Sequence, residues 1–286
     1  MLATNRQNTI VRPVEERDVR NILQMVDTAW RVYLRTPPLE LRAKLKSLPG
    51  ILAEDSVGLR GFMVAEPQPP NVAFLVAAGL RDTWHIKPYV DLLLPPLEQT
   101  ALAKNLSKLV YIGNAVWLIE ELWHRGFQTH EWVISLERVG AEIPPTPPTP
   151  AVLRPVRSTD LNTLINLDGL TFDEVWHYAV GNIADALFHD SSFVLAELAG
   201  QIVGYEWCEL YAPRAHLTRL AVHPDYQGRG IGAQLLHRAL TDASEHGVNQ
   251  ITLNTQENNY RSLALYQRFG FRATKQRMPL LLKKLR

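Results

Sequence analysis

The sequence predicts two α/β domains of one plan, joined in tandem, and three observations carry that reading. The chain has 286 residues, which exceeds one ordinary domain and suits two of about 100–200 residues each. Residues 141–150 read AEIPPTPPTP, and so much proline fits neither a helix interior nor a sheet but favours an extended spacer. The halves on either side begin alike: Val11-Arg12-Pro13-Val14 precedes Asp18, and Leu153-Arg154-Pro155-Val156 precedes Asp160, at a constant offset. The expected division is 1–140, a linker at 141–150, and 151–286.

Further echoes support a duplication. Both openings run on into helical spacing, through Val19, Ile22, Leu23 and Val26 and through Leu161, Leu164 and Ile165. Met63-Val64-Ala65-Glu66 in the first half is set against Val194-Leu195-Ala196-Glu197 in the second, as apolar strands ending in the same pair. An amphipathic helix closed by Gly-Phe comes near the end of each half, at Gly126-Phe127 and Gly270-Phe271.

The second half is the more legible. Phe193 to Leu198 and Ile202 to Leu210 alternate as strands around the turn Ala199-Gly200-Gln201, which predicts a hairpin. A strand follows at His216 to Val222, then a glycine-rich turn, Gln227-Gly228-Arg229-Gly230-Ile231-Gly232-Ala233. That turn opens a helix with Ile231, Leu235, Leu236, Ala239 and Ala243 on one side. A strand at Ile251 to Thr255, a helix from Asn259 to Phe269 and a final pair of strands in Gly270 to Arg286 complete it. Such a turn aims backbone N–H groups at a phosphate from the positive end of the helix dipole. Gly228, Gly230 and Ala233 also satisfy the loose dinucleotide fingerprint, but only 53 residues follow Ala233 and the next strand ends Asn254-Thr255-Gln256, without the acidic residue that fold needs.

Leu220-Ala221-Val222-His223-Pro224, the turn at 227–232, and Asn259 seven residues ahead of Tyr266 with Gly270-Phe271 close behind together resemble the GCN5-related N-acetyltransferase (GNAT) superfamily. The resemblance covers about residues 152–286. It implies an α/β (α+β) fold of two tandem GNAT-like domains, each a mixed, mostly antiparallel sheet flanked by helices. In the C-terminal copy the fourth and fifth strands would splay to form a cleft. It further implies that acetyl-CoA lies there as co-substrate. Its pantetheine would lie along the main chain of Leu220, Ala221 and Val222 and be reached by Asn259, and its pyrophosphate would rest on Gln227, Gly228, Arg229, Gly230, Ile231, Gly232 and Ala233. The first half departs from the pattern. It has no glycine from Leu80 to Ile112 and reads Leu94-Pro95-Pro96-Leu97-Glu98-Gln99 where the loop is expected, with Leu122 in place of Tyr266. A degenerate copy that holds no CoA is expected there.

Acyl transfer to an amine needs a neutral amine, donors for the oxyanion and a proton for the departing thiolate. Tyr266 occupies the family's acid position. For the base, His216, Thr218, Leu220 and Val222 are expected on one face of their strand by the two-residue period. There His216 could relay a proton near neutral pH, and Glu209 and Glu206 on the neighbouring strand are alternatives. His223, in the turn before Pro224, reads as structural. Phe172, Trp176, His177 and Tyr178 either line an acceptor pocket or belong to the core.

Composition narrows the remaining classes. Thirty basic residues face twenty-nine acidic ones, which argues against a nucleic-acid binder. The lone Cys208 excludes an intrachain disulfide and a multi-cysteine zinc site, makes an acyl-cysteine intermediate improbable, and reads as packing. No metal is expected. No apolar run is long enough to span a membrane, and the polar stretch Met1 to Asn8 has no signal-peptide core, so a cytoplasmic location is expected. Residues 151–260 hold six basic and thirteen acidic residues, whereas 261–286 hold eight basic and none acidic. The basic end, with Arg229 and Arg261, suits the CoA phosphates, and the acidic part suits a cationic small-molecule or peptide amine. The expected function is acetyl-CoA-dependent N-acetylation by direct attack of a primary amine. The alternatives are a small-molecule acyltransferase for another acceptor and a non-catalytic acyl-CoA-binding module.

Overall fold

Alternating apolar residues set the strands, and an apolar stripe at helical spacing sets each helix that covers them. In the computed structural model, residues 9–68, 70–81, 85–146, 148–178, 180–188 and 191–286 are described. The polar stretch Met1 to Asn8 and Pro147 of the proline-rich segment lie outside them. The first half runs β1 (Ile10–Pro13), α1 (Val19–Thr28), β2 (Arg31–Leu34), α2 (Pro38–Lys44), β3 (Gly50–Asp55), β4 (Gly58–Gln68), β5 (Val72–Leu80), α3 (Ile86–Ala103), β6 (Lys108–Ile112), α4 (Val116–Trp123) and β7 (Gln128–Val139). The second runs β8 (Val152–Pro155), α5 (Leu161–Thr171), α6 (Val180–Asp185), β9 (Ser191–Leu198), β10 (Gln201–Tyr211), β11 (Arg214–Val222), α7 (Ile231–Glu245), β12 (Gln250–Gln256), α8 (Tyr260–Arg268) and β13 (Arg272–Lys284). Among the described residues β2 has no strand counterpart in the second half.

The repeat extends to side chains. Arg12 donates to both carboxylate oxygens of Asp18 and to Glu54, and Arg154 does the same to Asp160 and Glu197. Each cluster ties the first strand of its half to the following turn and to the next strand of the sheet. The guanidinium holds the Asp160 carboxyl below its usual range. These clusters also correct one correspondence. Glu54, not Glu66, matches Glu197, so Leu52-Ala53-Glu54 in β3 is the partner of Leu195-Ala196-Glu197, and Met63 to Glu66 lies in β4, the counterpart of β10.

The chain divides into two compact units, Met1–Glu131 with Met278–Arg286, and Trp132–Arg277. These limits differ from the expected cut at 141–150. Val133 to Val139 of β7 pairs antiparallel with β12 in the second unit, and Leu280 to Lys284 of β13 pairs antiparallel with β6 in the first. The tail is therefore one long strand rather than a pair. Among the described residues the pairings within each unit are antiparallel except for one parallel contact, β5 with β6 and β11 with β12.

Leu94 to Gln99 is not a loop. It lies inside α3, whose Tyr89, Val90, Leu93, Leu94, Leu97 and Ala101 are buried in the core of the first unit. An interior proline costs about 3 kcal/mol, but burying a single leucine contributes about 1.5–3 kcal/mol, so this stripe outweighs Pro95 and Pro96. Glu98 pairs with Lys283 at 2.6 Å within the same unit. In the second unit α7 buries Ile231, Leu235, Leu236, Ala239 and Ala243 against the sheet, as the sequence predicts.

Candidate active site

The site begins where two parallel strands stop pairing. β11 and β12 are in register only from Arg214–Gln250 to Leu217–Leu253, although both strands continue. Beyond Leu217, β11 keeps β10 on one side and has no strand on the other among the described residues. The main chain of Leu220, Ala221 and Val222 lies on this open edge. Gln227 closes its far end by donating from Nε2 to the Val222 carbonyl at 2.9 Å.

The glycine turn follows directly. Gly228 and Gly230 have φ of +79° and +83°, left-handed values that L side chains rarely adopt. Gly230 caps α7, so the first N–H groups of that helix lack carbonyl partners and face outward. Around Gly228 no other atom lies within 4 Å of a built Cβ, whereas at Gly230 Thr149 Cγ2 comes to 3.1 Å. Two guanidinium groups border the turn without a carboxylate partner among the described residues. Arg229 donates to the Asp225 carbonyl at 3.0 Å and lies over the Tyr226 ring, and Arg261, on α8, donates to Gln227 Oε1. Asn259 caps α8 by accepting the Ser262 N–H at 3.3 Å. His223 has a local task, accepting the Asp225 N–H on Nδ1 at 3.2 Å.

Tyr266 packs in the same core cluster as Leu217 and Leu253, the last pair before the strands part, and edge-on to Phe271. Its hydroxyl makes no hydrogen bond among the described residues, unlike those of Tyr33, Tyr89 and Tyr205. Burial raises its pKa, so the phenol is protonated at neutral pH. In the first unit the Phe127 N–H reaches the Leu122 carbonyl just as the Phe271 N–H reaches that of Tyr266, so Leu122 is the structural counterpart and carries no proton to give.

The expected common face of His216, Thr218, Leu220 and Val222 does not form. The register jumps from Trp207–Arg219 to Cys208–Leu217, which leaves Thr218 as a bulge and turns the residues before it over. Leu220 and Val222 face α7 with Ile231 and Leu235. His216 instead stands on the opposite face, cross-strand from Glu209 and beside Thr252, whose hydroxyl lies 2.9 Å from Nδ1. Thr218 donates to Glu209 at 2.9 Å. Burial lowers the His216 pKa, offset in part by the Glu209 charge, which keeps the imidazole neutral and able to accept a proton.

Glu206 is not brought to this group. It faces α7, fully buried, with Oε1 2.7 Å from the Ser192 hydroxyl and Oε2 without a partner among the described residues. The same hydroxyl lies 2.7 Å from Asp242, which Arg238 holds at 2.6 Å. One hydroxyl proton cannot serve two carboxylates, so Glu206 carries its own, and burial raises its pKa accordingly. A folded pKa above the unfolded value of about 4.3 means stability that is present at low pH and lost as pH rises through the folded value. Glu206→Gln is therefore expected to leave turnover within about twofold of wild type, with a stability advantage in thermal melts that grows from pH 5 to pH 8. Cys208 is buried beside these carboxyls, and burial raises its thiol pKa as well.

The sequence also left one cluster unnoticed. Arg219 is buried, donating to both oxygens of Asp168 at 2.7 Å and to the Trp176 carbonyl at 2.5 Å, with the Phe172 and Tyr178 rings 3.5 and 4.3 Å from its charge. Tyr205 donates to Asp168 at 2.6 Å. The signal was an arginine at an inward strand position between Leu217 and Ala221, which only a buried partner would permit.

Residues 161–271 match the acetyltransferase (GNAT) family. A mycothiol acetyltransferase of Acidimicrobium ferrooxidans is 34% identical over 92 residues, which are 30% of this chain and 30% of that protein. A putative ribosomal protein bS18-alanine N-acetyltransferase of Bacillus subtilis is 23% identical over 43% of this chain and 81% of its own. In fold, a GCN5-related N-acetyltransferase from Sphaerobacter thermophilus superposes over 98% of this chain and 96% of its own, with a TM-score of 0.69 at 15% identity. A tandem GNAT protein from the clavulanic acid biosynthesis pathway superposes over 97% and 99%, with a TM-score of 0.68 at 12% identity.

Proposed function

On the match of residues 161–271 to the acetyltransferase (GNAT) family, we propose that the chain is a GCN5-related N-acetyltransferase whose C-terminal unit transfers the acetyl group of acetyl-CoA to a primary amine by direct attack. The observation that carries this reading is the open edge of β11, which runs straight into a turn of two left-handed glycines and starts at Leu217, in the core cluster that also holds Tyr266.

The edge and turn fit the co-substrate. Main-chain groups of Leu220 to Val222 can pair with the amides of pantetheine, and the N–H groups after Gly230 can take the pyrophosphate, with Arg229 and Arg261 adding charge. Asn259 keeps its Nδ2 group for the pantetheine arm, since only Oδ1 is used as the helix cap. His216 and Tyr266 lie on opposite faces of the sheet at the fork. His216, supported by Glu209, accepts the ammonium proton on one side. The amine nitrogen then bonds to the thioester carbon, outward N–H groups of β11 hold the oxyanion, the C–S bond breaks as Tyr266 protonates the sulfur, and the second proton on nitrogen is lost to solvent, which restores the Tyr266 phenol. The relatives named as a mycothiol acetyltransferase and as a putative ribosomal protein bS18-alanine N-acetyltransferase favour a small-molecule or peptide amine as acceptor. Glu209, partly exposed at the fork, provides the negative charge to attract it.

Among the described residues the first unit offers no such open edge. Its parallel contact also ends early, at Phe74–Val110, but β2 pairs along the same edge of β5, from Leu34–Ala77 to Arg31–Leu80. Tyr33 fills the fork itself, its hydroxyl lying 3.0 and 2.8 Å from the Leu75 and Ile112 carbonyls, which share its one proton. Calorimetry with acetyl-CoA tests the assignment, with one molecule bound per chain as the expected result, followed by a thiol-release screen over amines. Two molecules per chain would overturn the silent first unit, and none would overturn the proposal.

A further inference from the structure

The two units treat the same strand edge in opposite ways, and their sequences differ at the residues that decide it. The bulge fixes the correspondence. In the first unit the register jumps from Val64–Ala77 to Ala65–Leu75 and skips Val76, and in the second it jumps from Trp207–Arg219 to Cys208–Leu217 and skips Thr218. Ala77 therefore stands where Arg219 does. By the same register Phe62, opposite Gly79, stands where Tyr205 does, opposite Ala221. The helices α1 and α5 start 142 positions apart behind matching ion pairs, which places Val26 where Asp168 is. A buried polar triad in one unit is thus an apolar triad in the other.

The segment after the first helix of each unit follows suit. Where the triad is apolar, Arg31–Leu34 lies down on the edge of β5 as a strand. Where it is polar, the segment turns instead through a 3-10 turn, Glu174–Trp176, capped by Asp173, which accepts the Val175 N–H at 3.1 Å. Its Trp176 carbonyl, an acceptor that a ladder would use, is taken by Arg219, and its flanking rings Phe172 and Tyr178 stack on the same guanidinium. Tyr178 N–H also reaches Asp168 at 3.2 Å. Four contacts to one Arg–Asp pair hold the segment over the α5 face and away from the strand.

We propose that Arg219, fixed by Asp168 and Tyr205, is a positioning residue that keeps residues 172–178 off the edge of β11 and so keeps the acetyl-CoA groove open. The inference rests on the acetyltransferase reading of that groove. Arg219 need not touch either substrate: it acts through the segment it binds. It also accounts for the silent copy, where loss of the pair lets the chain's own strand take the place of pantetheine.

The test copies the first unit into the second. Removing Arg219 alone would strand a buried carboxylate and unfold the unit for an unrelated reason, so the three positions change together, as Asp168→Val, Tyr205→Phe and Arg219→Ala. The milder Arg219→Lys keeps the charge on Asp168 but cannot also reach the Trp176 carbonyl and lie flat between two rings. Hydrogen exchange at residues 173–177 is measured in the free protein, and acetyl-CoA affinity by calorimetry. The triple variant is expected to gain protection at 173–177 and to lose affinity at least 30-fold, and the lysine variant to exchange faster there than wild type and lose about fivefold. Wild-type exchange and affinity in the lysine variant, or in a folded triple variant, would overturn the proposal, and the lysine variant decides alone if the triple variant does not fold. Failure of wild-type protein to bind acetyl-CoA would count against the proposed function instead, while the exchange readout still decides the role of Arg219.

Discussion

Gly230→Asp is expected to weaken acetyl-CoA binding at least 100-fold, about 2.7 kcal/mol, with the fold retained. Three effects act together. The residue has φ of +83°, where a side chain costs about 1–2 kcal/mol, although aspartate tolerates the region better than most. Its Cβ would meet Thr149 Cγ2 at 3.1 Å, a contact the methyl can relieve only by moving. Most important, a carboxylate at the cap of α7 would occupy the outward N–H groups and repel the pyrophosphate. The same exchange at Gly228, where the surroundings are empty, isolates strain and charge from the clash. Calorimetry gives the affinity and a thermal melt reports the fold. Unaltered affinity in Gly230→Asp would show that the turn does not carry the pyrophosphate.

The turn was legible because its residues are specified locally. Positive φ demands glycine, and the helix stripe from Ile231 to Ala243 repeats at helical spacing, so strand, turn and helix can be read in one pass. Tyr266 and Asn259 were assigned through the family resemblance that their seven-residue spacing helps to carry. What escaped depends on chain segments far apart. The bulge at Thr218 is set by the pairing with β10, and without it the two-residue period puts His216 on the wrong face. The exchange of Val133–Val139 and Leu280–Lys284 between units has no local signature, since each reads as an ordinary strand whichever sheet it joins. The proline pair at 95–96 misled for the opposite reason: a strong local preference was overruled by burial of the leucines around it. Arg219 went unnoticed because its partner Asp168 lies 51 residues away.

Tyr266→Phe is expected to lower kcat about 100-fold while leaving acetyl-CoA affinity unchanged, the low end of what a positioned general acid contributes. The substitution is close to isosteric, and the hydroxyl it removes has no hydrogen bond among the described residues, so folding stability should change by less than about 0.5 kcal/mol. The loss should fall on the step in which charge develops on sulfur. A simple thiol has a pKa of about 8.5, so at neutral pH the departing thiolate gains from a proton delivered in place. Burial keeps the Tyr266 phenol protonated well into the alkaline range, so its titration sets no limb of the wild-type profile near neutrality. The rising limb belongs to the base side, where His216, with its lowered pKa, is already neutral at pH 7. Two results separate acid catalysis from packing. If Tyr266 is the acid, acetyl thioesters of more acidic thiols should lose less rate in the variant than acetyl-CoA does, because their thiolates leave without help. If it only fills the core, every donor should lose equally, and a variant as fast as wild type with all amines tested would remove Tyr266 from the mechanism.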